Sequence, residues 1–170
     1  MKSLLYIAIS VLFSSIAFGN TKGDSVFMIA KEYLWVRENT YEGRNQIMLF
    51  LKSVNINVMS PWCAAFVSYV LDRASVNEPK VRTALAQGFL QNKYIKSQDV
   101  LIGKVKIKRG WLAIWRRGTT IRGHIGIVNI WNKKSGWTID GNTSSGKTSS
   151  VSKQYDGDGV YERRRHIEHA

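Results

Sequence analysis

The hydrophobic period of this chain changes once, near Lys104, and that change restricts the fold more than any other feature. Before it, apolar residues recur at helical spacing; after it, they come in short β-branched or aromatic runs separated by turn residues. Helices first, then consecutive strands joined by short turns, predict an α+β domain with N-terminal helices packed on a C-terminal antiparallel sheet. A helix is expected over residues 24–35 with Asp24 as its N-cap, then a loop over 39–43 and a second helix over 45–52. A third opens in Ser60-Pro61-Trp62-Cys63 and runs to Ala74, with Cys63, Phe66, Val67, Val70, Leu71 and Ala74 on one apolar face. Asn77-Glu78-Pro79 breaks the chain, and residues 81–90 read as a short helix or irregular cover. Val105 and Ile107 alternate with lysines, and apolar runs at 111–115, 125–131, 137–139 and 160–167 supply the strands. Residues 141–153, rich in Ser, Thr, Gly and Lys, read as a mobile loop.

Residues 1–19 have the form of a secretory signal: Lys2, an apolar run from Leu4 to Phe13, and the small-residue exit Ala17-Phe18-Gly19. The run is shorter than the ~20 residues of a membrane span, so cleavage near Gly19 is expected rather than anchoring. Residues 20–170 then form one domain, acting as a monomer in the periplasm or outside the cell. Lys2 is the only charged residue before Gly19, so the domain keeps essentially the whole net charge of +13. A balance that basic predicts an anionic partner. Export argues against nucleic acid; bacterial wall, with free carboxylates and associated phosphate polymers, matches charge and compartment together.

Cys63 is the single cysteine, so in an exported protein it has no partner for an internal disulfide. It stands in the first turn of the third helix. Unpaired N–H groups and the positive end of the helix dipole stabilise a thiolate there, which suits a nucleophile. A small buried apolar residue is the bland alternative, and a partner histidine is what separates the two. His124 lies in Gly123-His124-Ile125-Gly126, at the start of a strand with glycine neighbours that leave room for the ring. Thr138, Asp140 and Asn142 share one parity on the next strand. With a hairpin turn centred on Lys134, His124, Gly126 and Val128 stand opposite Ser144, Asn142 and Asp140. That register makes Asn142 the nearer residue to His124, and a shorter turn makes it Asp140. Either can accept the imidazole N–H and fix its orientation.

Pro61-Trp62-Cys63-Ala64-Ala65-Phe66-Val67, Gly123-His124-Ile125-Gly126-Ile127-Val128 and Ile139-Asp140-Gly141-Asn142-Thr143, with Gly157-Asp158-Gly159-Val160-Tyr161 closing the chain, together resemble a CHAP domain. This is the cysteine, histidine-dependent amidohydrolase/peptidase family of bacterial and phage cell-wall enzymes, a branch of the papain-like superfamily. The resemblance covers most of residues 24–167 and implies a papain-like fold, Cys63 as nucleophile and His124 as base. It places an acid where Asp140 stands, normally glutamate, two residues before an asparagine where Asn142 stands. Aspartate shortens that reach by one methylene and leaves the orienting role open between Asp140 and Asn142. The implied function is hydrolysis of peptidoglycan amide bonds, as amidase or endopeptidase, with no metal or organic cofactor; the alternative is a non-catalytic wall-binding protein that keeps the fold.

Other residues fit this frame less closely. Trp62 abuts the nucleophile and Trp115 ends the strand before His124, so either can stack on a sugar ring or line the groove. His166 and His169 have H-x-x-H spacing, but a metal wants more ligands than a chain end supplies. Arg163, Arg164 and Arg165 suit contact with an anionic polymer or a half-exposed last strand.

Overall fold

Two threonines set the starts of the first two helices. The computed structural model describes residues 21–90, 94–116, 118, 120–121, 123–145 and 159–167. Helix α1 (Lys22–Lys31) is capped by Thr21, whose hydroxyl accepts the Asp24 N–H at 3.1 Å while the Asp24 carboxylate accepts from the Thr21 hydroxyl at 2.7 Å. Asp24 is thus the acidic member of a capping box, not the N-cap expected for it. Helix α1 also ends before residue 35, in turns that bury Tyr33 and Val36.

Helix α2 (Tyr41–Lys52) begins inside the segment expected as a loop. Thr40 Oγ1 accepts the Gly43 N–H at 3.0 Å. Gly43 is there for closeness: a Cβ would overlap the Arg37 carbonyl oxygen.

Helix α3 (Cys63–Arg73) is the centre of the molecule. Cys63, Ala64, Ala65, Phe66, Val67, Ser68, Val70 and Leu71 are all buried, because α1 and α2 cover one side and the sheet the other. Phe50 joins the layers, with ring centroids 5.2 Å from Tyr33, 5.3 Å from Phe66 and 5.8 Å from Trp62. Ser68 Oγ donates to the Thr83 carbonyl at 3.1 Å and accepts the Thr83 N–H at 3.0 Å, holding the irregular segment before the 3₁₀ turn Ala86–Phe89 against α3. A short helix, α4 (Ser97–Leu101), had no clear sequence signal. Residues 104–107 are not a strand despite their alternation, and the Val105 N–H goes to the Asp99 carbonyl.

Strands β1 (Leu112–Arg116), β2 (Gly123–Trp131), β3 (Ser135–Thr143) and β4 (Gly159–His166) form an antiparallel meander in chain order. The α+β architecture is therefore as expected, with β3 extending through Thr143 into the segment expected as a loop. Ile125, Ile127, Ile139 and Val160, all fully buried, belong to the core shared with α3. Two register shifts matter for the site, one between Val128 and Ile130 and one between Asp140 and Thr143. The signal segment expected over residues 1–19 and the rest of the loop expected over 141–153, from residue 146, lie outside the described residues. Among the described residues no helix is long and apolar enough to cross a membrane.

Candidate active site

Cys63 is the first residue of α3 and is 6% exposed. The first i→i−4 bond of the helix is Phe66 N–H to the Trp62 carbonyl, at 2.9 Å, and Trp62 offers no side-chain cap. The N–H groups of Cys63, Ala64 and Ala65 therefore precede the helical ladder at the residue that carries the thiol.

His124 is carried to this thiol by β2. Its ring packs beside Trp115, its cross-strand partner on β1, with centroids 6.0 Å apart. Imidazole Nε2 lies 3.0 Å from Asp140 Oδ2, which leaves Nδ1 as the nitrogen available to the Cys63 thiol. The hairpin register explains why Asp140 makes this contact. Val128 stands opposite Thr138, where a turn centred on Lys134 would have set Asp140. The turn is tighter, closed by the Asn132 N–H on the Ser135 carbonyl at 2.9 Å, and the bulge after Val128 absorbs a residue of β2. Asp140 then lies across Gly126, where a Cβ would overlap its Oδ1, and reaches diagonally to His124. The shorter methylene chain of aspartate is sufficient at this range.

The site is largely buried and strongly charged. Asp140 is wholly buried. Burial alone would push its carboxyl up, but the hydrogen bond and charge of His124, the Arg165 guanidinium and the Thr138 hydroxyl hold it below the ordinary carboxylate range. Burial pushes the His124 imidazole down. The hydrogen bond and charge of Asp140, with the Cys63 thiol, outweigh that and raise it to about 9. Asp140 Oδ2 also accepts from Arg165 Nε at 2.7 Å and from Arg165 Nη2.

Asn142 takes a different place. The second register shift gives it a left-handed backbone, φ 53°. Its Oδ1 accepts the Trp62 N–H at 3.1 Å, and its Nδ2 donates to Glu38 Oε1 at 3.3 Å. Glu38 Oε1 also accepts from Trp62 Nε1 at 2.6 Å. Asn142 and Glu38 thus fasten the residue that precedes Cys63. The parity argument that set Asn142 beside Asp140 stops at this bulge, because an inserted residue resets the alternation.

Trp62 and Trp115, expected to stack on a sugar ring or to line the groove, are both buried. Trp62 is 1% exposed, tilted against Phe50, with its indole N–H spent on Glu38. Trp115 is 7% exposed and is a wall for the His124 ring. Arg165, expected as a polymer contact or exposed strand residue, is committed to Asp140, and Arg163 donates to the Ser144 carbonyl. His166 is exposed and His169 lies outside the described residues. Glu38 and Arg165 were not expected at the site. Arg165 had a faint signal in sharing strand parity with the buried Ile167; Glu38, in a turn before α2, had none.

A search of curated proteins and one of solved structures each find no match. The family model of the CHAP domain matches residues 55–142, a span that includes Cys63, His124, Asp140 and Asn142. With that match over more than half of its length, the chain belongs to the CHAP domain family.

Proposed function

We propose that the protein is an exported peptidoglycan hydrolase that cleaves an amide bond with Cys63 as nucleophile. The family is one of amidases and peptidases, and the observation that carries the assignment here is the buried Asp140–His124 pair set against the thiol at the start of α3. His124 Nδ1 takes the proton from Sγ, and the sulfur attacks the scissile carbonyl carbon. The oxyanion that forms is stabilised by the Cys63 N–H at the open helix start. Collapse breaks the C–N bond, and His124 returns its proton to the leaving amine. His124 then deprotonates a water that attacks the thioester, releasing a carboxylic acid and restoring the thiol. Asp140 holds the ring in register and favours its charged form throughout. A papain-like arrangement of helix-borne cysteine and strand-borne histidine agrees with this sequence of steps. The net charge of +13 suits the anionic wall, and the form of residues 1–19 suits export.

Purified sacculi digested with wild-type protein and with Cys63→Ala test the reading. Mass analysis of the fragments should find new termini at one class of amide bond with wild type only, and these termini tell amidase from endopeptidase. Turnover retained in Cys63→Ala would end it.

A further inference from the structure

Two donors from different strands converge on one oxygen of Asp140. His124 on β2 and Arg165 on β4 both bond Oδ2. The guanidinium also lies over the Trp115 ring, 5.2 Å from its centroid, and that ring is the wall against which His124 packs. Imidazole and guanidinium thus share both a carboxylate oxygen and an aromatic surface. We propose that Arg165 is a positioning residue of this site, acting on His124 through the oxygen that the two share.

The proposal rests on the reading of Cys63 and His124 as nucleophile and base. Its physical content is a division of charge. An imidazolium alone with a buried carboxylate would hold its proton tightly and be a poor acid toward the leaving amine. A permanent cation on the same oxygen takes part of that carboxylate's charge, so the proton is released more easily. The guanidinium also aims the carboxylate, because its planar fork fixes the direction from which Oδ2 can be approached.

Other groups face the pair and remain when Arg165 is changed. Cys63 faces it from α3. On β4, Tyr161 stands opposite Asp140 and Arg163 opposite Thr138; the Tyr161 ring lies 3.9 Å below the Arg37 guanidinium. From β1 the neighbour is the uncharged Trp115. Removing the Arg165 cation therefore has one direction of effect. The pH at which the Asp140–His124 pair gives up its proton rises, whichever member holds that proton.

The test is an NMR titration of the His124 imidazole in full-length protein carrying His166→Gln and His169→Gln, which leaves His124 as the sole histidine. Arg165→Gln should titrate higher than this background by about one pH unit and turn over a soluble muropeptide more slowly. Arg165→Lys keeps a charge but loses the fork, and should fall between the two in both measurements. A purely structural role for Arg165 lowers the melting temperature and leaves the titration in place. An unchanged or lower titration in folded Arg165→Gln overturns the proposal. If that variant does not fold, Arg165→Lys decides on the same terms: an upward shift supports the proposal, an unchanged or downward one overturns it. The titration needs no turnover. A shifted titration in a protein that never cleaves sacculi removes the hydrolase reading alone, and an unmoved titration in an active enzyme removes this proposal alone.

Discussion

Asp140→Asn isolates the charge at the centre of the site, because the amide keeps the shape and an oxygen acceptor for imidazole Nε2. In the native protein, burial lowers the His124 pKa while Asp140 and Cys63 raise it to about 9. Without the carboxylate, burial remains, and the Arg165 cation is left beside the ring with its partner gone. His124 is then expected to lose its proton below its ordinary 6.5. A fall of that size, at about 1.4 kcal/mol per pH unit, removes about 3 kcal/mol from the imidazolium. The loss in kcat/KM at neutral pH should be on the order of 10²-fold. The assay is kcat/KM against pH on a soluble muropeptide, whose descending alkaline limb reports the acid form of the free enzyme. That limb should move from near pH 9 to the acid side of neutrality. A limb that stays near its native pH, with a rate within about threefold of wild type, would refute the argument that the Asp140 charge holds the proton on His124.

Three further outcomes follow from the same geometry. Gly126→Ala should displace Asp140 from His124, since the new Cβ overlaps Oδ1; kcat/KM should fall at least about tenfold and stability by about 1–3 kcal/mol in urea unfolding, and a fully active variant would disprove the close approach. Asn142→Ala should cost about 1–2 kcal/mol by loss of its bond to the Trp62 N–H, with the alkaline limb unmoved; a shifted limb would mean that Asn142 acts on the imidazole. Stability should also depend on pH in a set direction. The folded His124 pKa of about 9 lies above its ordinary 6.5, so its contribution is full below that value and is lost as pH rises through 9. The Asp140 pKa is held below 3.8, so its contribution is full above that value and lost as pH falls through the depressed one. Calorimetry should place the highest melting temperature between these limits, and His124→Gln should flatten the alkaline side.

The order of the architecture was legible along the chain, and so were Cys63 and His124, the cysteine and histidine that meet at the site. Helical spacing around Cys63 and β-branched runs around His124 are local signals, written within one element and set by backbone period alone, so α3 and the antiparallel meander were legible. Helix starts were less so: Thr21 and Thr40 are ordinary polar residues until the first-turn N–H groups close on them. The third residue of the site was decided by tertiary structure. A bulge after Val128 and another after Asp140 set which side chain meets the imidazole, and a bulge depends on how two strands and their neighbours pack. The same reason hid Glu38 and Arg165, whose contacts cross from a turn to the nucleophile helix and from the last strand to the one before it. It also set Trp62 in the core and Trp115 beside the imidazole, because an indole's place in wall, core or surface is set by what packs over it and leaves no periodic mark in the chain.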